Sequence, residues 1–501
     1  MKWTRREIAK LAAGALSLSG CASHPRPEPK LLQSRVALPD PFTIPLPIIP
    51  SLHPTSSDET TDYYDVTVMP SEGQILPAVK TALWGYNGMF PGPTIEARSG
   101  RRVSLKLRNR LPRPIVNHLH GGRTPPESDG YPTDLVLPAG GFPQSHMHDP
   151  LARIVTAQRD YVYPNLQRAA TLWYHDHRMD FTAAQVWRGL AGFYILRDDE
   201  ELKLPLPRAE KEIPLLICDR SFDAGGALFY PSLDPDLLKE PGVTHEYMGG
   251  VLGDVILVNG APWPRLEVAN TKYRFRVLNA SNARRYELAL DPGGSFTQIG
   301  SDGGLLAAPV RHRTVRMSPA ERFDLIVDFS RYPIGAVVTL LNQAGSGRAG
   351  KIMQFHVVRT EKDDSVIPPV LSTTGFPNIA EAVATRVFDF SYQGMRGWTV
   401  NKKRYDPARM DATPKLDSTE IWQMQSDFAH PLHLHLVHFQ VLSHSGRPGP
   451  YDAGWKDTIA LFPGQTANVL VKFSGYRGRY VFHCHNLEHE DMAMMANFEV
   501  V

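Results

Sequence analysis

The sequence predicts an all-β protein made of several β-sandwich domains, and three observations carry that expectation. Apolar and polar residues alternate with the period of two that a half-buried strand requires, as in Val103–Asn109 and Tyr273–Asn279. These two stretches also repeat. The first follows P-T-I-E-A (Pro93–Ala97) and the second follows P-R-L-E-V (Pro264–Val268), with 13 residues from Glu96 to Asn109 and 12 from Glu267 to Asn279. A weaker echo, S-T-E-I-W (Ser418–Trp422), precedes a third strand region. Finally, proline is 43 of 501 residues, against a usual share of about 5%. Proline removes a helix donor, so this abundance favours short strands and turns over long helices. The clearest helix-like stretch is the short one over 180–190. At roughly 150 residues per domain the length suits about three domains. Charged or proline-rich seams near 199–213 and 360–380 place them at 41–200, 201–370 and 371–501.

Composition excludes several classes. Formal charge is 54 − 52 = +2, too little for a nucleic-acid-binding surface. Apolar residues make up 42%, too many for a disordered chain. Three cysteines, Cys21, Cys218 and Cys484, rule out a disulfide-stapled scaffold. Cys218, in the strand-like P-L-L-I-C-D-R, is expected as a buried free thiol of the second domain.

The first 21 residues read as an export signal. A basic start (Lys2, Arg5, Arg6) precedes an apolar run from Leu11 to Leu18, far shorter than the roughly 20 residues of a membrane span. T-R-R-E-I-A-K resembles a twin-arginine signal, and L-S-G-C ending at Cys21 resembles a lipobox whose cysteine is lipidated. An ordinary signal peptide with an incidental cysteine is the alternative. Residues 22–40 hold Pro25, Pro27, Pro29 and Pro39 and read as a tether. The expected location is therefore the bacterial envelope or periplasm, with membrane contact only through Cys21.

Histidine carries the chemistry. Most of the 19 crowd into four motifs: N-H-L-H-G-G (His118, His120), W-Y-H-D-H (His175, His177), H-P-L-H-L-H (His430, His433, His435) and H-C-H-N-L-E-H-E-D-M-A-M (His483, Cys484, His485, His489, Met494). An H-x-H pair on a strand sends both imidazoles to one face. Four such pairs supply eight nitrogen ligands of the type that suits copper, zinc, iron or nickel. The fourth motif narrows the choice. Cys484, His489 and Met494 follow C-x4-H-x4-M, and one cysteine, two histidines and a weak axial methionine make a blue-copper site. His430 is the natural second imidazole. It lies three residues before His433 and so faces the opposite side of an extended chain. By the same parity Cys484 points away from His483 and His485. One short peptide then joins a single copper to the cluster behind it. His438 is expected beside the ligands or in the core. His146 and His148 read as a loop pair rather than an extra metal site.

With these motifs the chain resembles the multicopper oxidase family of three cupredoxin-like Greek-key sandwiches, and within it the bacterial spore-coat laccase and bilirubin oxidase branch. Further strings support the resemblance: Trp84–Ala97, S-D-G-Y-P (Ser128–Pro132), G-S-D-G-G-L-L (Gly300–Leu306), P-A-E-R-F-D (Pro319–Asp324) and G-W-K-D-T (Gly454–Thr458). The resemblance implies four coppers. His430, Cys484, His489 and Met494 would hold the type 1 ion. His118 and His433 would hold type 2. His120, His175, His177, His435, His483 and His485 would hold the type 3 pair. The trinuclear cluster would lie between domains 1 and 3, with domain 2 as spacer and brace. Asp129 and Glu490 would assist protonation during four-electron reduction of O2 to water. The expected enzyme oxidises phenols, aromatic amines or bilirubin-like pigments one electron at a time and works as a monomer, its substrate passing electrons through the imidazole of His489 or His430. Oxidation of cuprous ion is the alternative, but the 14 methionines are scattered rather than gathered in one segment. A cupredoxin-fold protein without copper conflicts with the intact ligands. A two-domain nitrite reductase conflicts with the length and with four H-x-H motifs.

Overall fold

The computed structural model describes residues 27–77, 79–142 and 149–501. The expected signal with Arg5, Arg6 and Cys21, and the pair His146 and His148, lie outside the described residues.

Three β-sandwiches follow one another along the chain. The first packs a sheet holding Thr61–Gly73, Thr81–Tyr86, Arg102–Asn109 and Gln158–Tyr163 on one holding Gly92–Arg98, Asn117–His120, Ala170–Asp176 and Ala191–Arg197. The second pairs a seven-stranded sheet around Glu212–Arg220, Lys272–Asn279 and Arg322–Asp328 with a five-stranded sheet around Lys351–Arg359. The third sets Ala382–Tyr392, Trp398–Val400, Thr419–Ser426, Phe439–His444 and Thr466–Lys472 against His430–Leu434, Thr458–Leu461, Gly478–Cys484 and Met495–Val500. The helix-like stretch over 180–190 shrinks to the buried helix Thr182–Trp187.

The repeat seen in the sequence is a repeat of topology. In each sandwich the first long strand pairs in parallel with a strand reached after a crossover: Thr61–Gly73 with Arg102–Asn109, Glu212–Arg220 with Lys272–Asn279, Ala382–Tyr392 with Thr419–Ser426. Parallel neighbours cannot be joined by a hairpin, so the chain visits the opposite sheet between them. T-I-E-A and R-L-E-V sit on those visiting strands, Gly92–Arg98 and Arg265–Ala269. S-T-E-I-W does not. It lies in the strand that matches Arg102–Asn109, and the third counterpart of T-I-E-A is reduced to one parallel bridge from Ala412 to Phe498.

The expected tether also needs correction. Lys30–Leu32 pairs in parallel with Val251–Gly253, and Ser34 donates through N and Oγ to Asp254. Further on, the Phe42 and Leu46 amides donate to the Trp263 and Arg265 carbonyls. The chain from Lys30 to Leu46 thus lies on the second sandwich instead of hanging free or opening the first. Proline forbids a helix here, but the proline-free K-L-L can still extend a sheet edge.

Sandwiches one and two share a core. The strand Ala170–Asp176 is buried along its whole length. Leu172 and Tyr174 face the first core, while Trp173 joins the cluster built on Leu215, Ile217 and Phe275 of the second. A buried charge network adds to this seam. Glu201, from the connection between the two, accepts from Arg274 and Arg276, while Asp324 accepts from Arg274 Nε, Glu212 from Arg276 Nε and Thr171 Oγ1 from Arg276 Nη1. Burial alone would raise the Glu201 carboxyl, but Arg276, Arg274 and Arg197 outweigh it and hold it at about 2. Glu201→Gln is expected to destabilise by about 3 kcal/mol, because it strands buried guanidinium charge. The group ionises at a lower pH folded than unfolded, so its contribution is full above the usual 4.5 and is lost as pH falls toward about 2. Thermal melts of variant and wild type should therefore differ near neutrality and converge in acid; a gap that persists unchanged there would count against the network.

Candidate metal centre

The third sandwich builds the first ligand group. His430 opens the strand His430–Leu434, which pairs with Gly478–Cys484 so that Leu432 lies opposite Cys484 and His433 opposite His483. Directly opposed residues share a face, as do residues two apart. His430 therefore shares a face with Cys484, and His433 with His483. Cys484 Sγ lies 3.3 Å from His430 Nδ1 and 3.6 Å from His489 Nδ1, and the two Nδ1 atoms are 3.1 Å apart. The short helix Leu487–Asp491 carries His489 back to the cysteine. The Met494 N–H donates to the His489 carbonyl and its carbonyl accepts from Cys484 N–H, at 3.0 and 3.1 Å, which brings Met494 into the same buried cluster.

On the opposite face eight buried imidazoles converge from sandwiches one and three. Their free ligand atoms fall into groups: His120, His175 and His485; His177, His435 and His483; and His118 with His433, near which His120 also lies. His483 Nε2 is 3.2 Å from Nε2 of both His177 and His435. Carbonyls and carboxylates fix the tautomers. His118, His175 and His433 donate from Nδ1 to the carbonyls of Asp129, Asp176 and Asp457 at 2.6, 2.8 and 2.9 Å. His435 Nδ1 donates to Asp129 Oδ2 at 2.8 Å, and His120 Nε2 to Asp457 Oδ1 at 3.1 Å. Each such bond turns the other ring nitrogen inward.

Those inward nitrogens test the fit to a metal. Nε2 of His118, His175 and His433, Nδ1 of His120 and both nitrogens of His485 have no hydrogen-bond partner. Leaving so many buried polar atoms unsatisfied would cost about 1–3 kcal/mol each. Burial pushes His118, His120, His177, His435 and His485 well below the usual imidazole range and His175 down to about 3, so the rings are neutral, which is the ligating form. Burial likewise lowers His489, His430 and His433. A thiolate with two imidazoles on one face and eight imidazoles on the other fit copper, whose blue sites combine these donors.

Two family profiles, both described as multicopper oxidase, match residues 67–201 and 381–501. The chain is 39% identical to a laccase of Bacillus subtilis over 92% of its own length and 98% of the relative's. The chain belongs to the multicopper oxidase family. This oxidase is also 35% identical to a bilirubin oxidase of Albifimbria verrucaria, over 91% of the chain and 81% of the relative. The structure of a laccase from Pediococcus acidilactici superimposes with a TM-score of 0.82 at 31% identity, covering 94% of this chain and 96% of that one. The three sandwiches are cupredoxin-like.

Both candidate proton carriers reach the histidines. Asp129 touches His435 and, at 3.9 Å, His118. Its carboxyl is fully buried and raised well above the usual range by that burial. Glu490 places its oxygens 3.2 Å from His177 Nδ1 and 3.1 Å from His483 Nδ1. His438 donates to the Gly121 carbonyl or sits beside Asp457 without joining a ligand group. Cys218 is a buried free thiol, pushed up to about 11 by burial.

Three things in the oxidase go beyond the sequence reading. The second sandwich braces the ligand groups directly. Its Arg322, wholly buried, donates to both carboxylate oxygens of Asp457, which itself holds His120 and His433. Burial would raise the Asp457 carboxyl, but Arg322 and His120 hold it well below the ordinary range. Asp302 and Lys456 continue this buried chain, with Lys456 Nζ 3.2 Å from Asp302. These four residues come from G-S-D-G-G, P-A-E-R-F-D and G-W-K-D-T, strings that signalled kinship without showing a role. Trp173 is the second omission; it stacks on His175 at 4.2 Å. Thirdly, the imidazoles expected to pass electrons in from the substrate are closed off from solvent: His489 is 0% and His430 1% exposed. Arg322→Met should weaken metal retention about 10- to 100-fold, the usual effect of removing support from a ligand. Copper per chain after dialysis against a weak chelator measures it, and full retention would show that Asp457 holds the histidines unaided.

Proposed function

We propose that this laccase-like oxidase takes single electrons from small aromatic reductants, such as phenols, arylamines or bilirubin-like pigments, and uses four coppers per chain to reduce O2 to water. His430, Cys484 and His489, with Met494 as weak axial group, would hold type 1. His118 and His433 would hold type 2. His120, His175 and His485 would hold one type 3 ion, and His177, His435 and His483 the other. Bound there, copper would supply the redox chemistry, single-electron uptake and the transfer of four electrons to O2. The observation that carries this reading is the pair of opposed faces on one strand, thiolate with two imidazoles on one side and the eight-imidazole cluster on the other.

The chain's own groups do the rest. Cys484 and its covalent neighbours His483 and His485 connect the two sides, so an electron need not leave the protein. Asp129 and Glu490 are the proton carriers, one at each side of the His435–His483–His177 group. The buried Asp129 carboxyl is raised, which suits a group that must hold a proton near neutral pH and give it up. Trp173 and the surrounding cores keep bulk water from the cluster. The residues before Lys30 support a place in the envelope: we read twin-arginine export and a lipid at Cys21, which membrane fractionation of the wild type and of Cys21→Ala would test.

The deciding experiment loads the purified protein with copper and follows O2 uptake with a phenol. About four coppers per chain and a blue colour are expected, and Cys484→Ser should lose colour and turnover together, since it deletes both thiolate ligand and path. A chain that binds zinc alone, or turns over without Cys484, would overturn the assignment. Asp129→Asn and Glu490→Gln keep shape and remove the proton. Each should slow reoxidation by O2 about a hundredfold, the scale of lost general acid catalysis, while bleaching of the blue band by reductant stays near wild type. Slowed bleaching instead would place these carboxylates on the substrate side.

A further inference from the structure

The histidines that would receive electrons are sealed on every side. Nε2 of His489 lies 3.2 Å from Asn486 Nδ2, which also donates to the Gly249 carbonyl. The N-terminal segment runs over that loop: a side chain on Gly249 would meet the Pro27 carbonyl oxygen and Glu28. Nε2 of His430 faces the Asp427 carboxylate at 3.8 Å. No bare imidazole edge is left for a reductant to touch.

One face of His489 is covered differently. Trp398 stacks on it with 3.6 Å between ring centroids and 28° between planes. The same indole stands edge-on to His430 at 5.4 Å. Trp398 is itself buried, with Nε1 donating to the Met248 carbonyl. It also meets Phe428, at 5.5 Å, and Tyr392, at 4.9 Å. Tyr392 and Trp398 are directly opposed residues of a hairpin, Ala382–Tyr392 against Trp398–Val400. Tyr392 is only partly buried, and its amide donates to the Asp427 carboxylate that faces His430. The turn between them exposes Met395 completely. A line of ring contacts thus runs from the surface at Tyr392, tilted 56° to Trp398, through Trp398, stacked on His489.

We infer that the organic reductant docks against the Tyr392 ring and Met395, and that its electron crosses the Tyr392–Trp398 ring contact to reach His489. The inference rests on the proposed oxidase function and says where its reductant is met. A ring and a thioether offer what an aromatic molecule recognises, offset stacking and sulfur–ring contact. In each event one reductant loses one electron, and a phenol also releases its hydroxyl proton to water. The type 1 site gains that electron. Tyr392 and Trp398 act as a tunnelling bridge and are unchanged. Four such events match the four electrons that one O2 takes up.

The test uses copper-loaded full-length protein with Trp398→Leu, Trp398→Phe, Tyr392→Leu and Met395→Ala. The type 1 absorption and EPR signals first establish that each variant holds its copper. Stopped-flow bleaching by an arylamine then reads electron intake, and reoxidation by O2 reads the far side. Trp398→Leu should slow bleaching several-fold with reoxidation unchanged, and Trp398→Phe should recover most of the loss. Tyr392→Leu should raise half-saturation about fivefold, the size of one aromatic stacking contact, without moving the type 1 potential; Met395→Ala should shift it in the same direction by less. Should Trp398→Leu fail to fold or load copper, Tyr392→Leu alone decides, because its ring is partly in solvent. Unchanged or faster bleaching in Tyr392→Leu and Trp398→Leu, with type 1 signals intact, would overturn the inference and mean that reductant reaches an imidazole directly. A wild type that holds its copper yet oxidises no aromatic reductant would instead overturn the function on which the inference rests.

Discussion

The structure depends on one constraint, the burial of ten imidazoles and a cysteine whose inward ligand atoms converge on one another. A buried ring nitrogen without a partner is expensive, and so many of them side by side would unmake an ordinary core. The surrounding architecture answers that constraint. Backbone carbonyls of Asp129, Asp176, Asp457 and Cys484 each take one ring N–H and lock the tautomer. Sheet pairing then sets the ring positions. In both contributing sandwiches an H-x-H strand lies beside a second histidine strand, His118 opposite His175 and His433 opposite His483. Each ladder alone would leave a half-built ligand set, and closing the two sandwiches on each other completes it.

Closure of that kind needs alignment, and the second sandwich supplies it. Arg322 reaches from its own sheet to Asp457 of the third sandwich and donates from Nε to the Thr171 carbonyl of the first. One guanidinium therefore registers all three bodies within contact of the cluster. A bidentate carboxylate partner suits this task better than a lysine would, because the planar fork fixes direction as well as distance. The shared core around Trp173 serves the same end. Its strand turns Leu172 and Tyr174 to one side and Trp173 to the other, so the residue next to a ligand histidine is also the residue that cements two sandwiches.

What the sequence made legible follows from locality. Period-two alternation, the H-x-H pairs and the parity that sets His430 and Cys484 apart from His433 and His483 are properties of a few adjacent residues, and they survive folding intact. The duplication was equally plain in Glu96 to Asn109 and Glu267 to Asn279, two spans that differ in length by a single residue. The third copy misled because S-T-E-I-W shares letters with P-T-I-E-A while occupying the next strand. Asp457, Arg322 and Asp302 carry no local signature: a salt bridge between positions 135 residues apart is written only in the tertiary structure. The same holds for the proline-rich segment. Its composition excludes helix, but whether it floats or pairs is decided by the free edge at Val251–Gly253.

That free edge bears on how electrons are admitted. A chain segment laid along Val251–Gly253 presses the Gly249 loop onto Asn486, and Asn486 covers the outer nitrogen of His489. Sealing His430, Cys484 and His489 this way keeps water from the cysteine sulfur and its two imidazoles and leaves their surroundings apolar. It also removes the simplest contact between imidazole and substrate. An outer-sphere electron does not require that contact, since it can cross a ring stacked on the ligand where an atom could not pass. The hairpin that opposes Tyr392 to Trp398 lays such a ring on His489, with 3.6 Å between centroids. Trp398 thus closes one face of a candidate ligand against water while leaving a path an electron can cross, and the two demands do not compete.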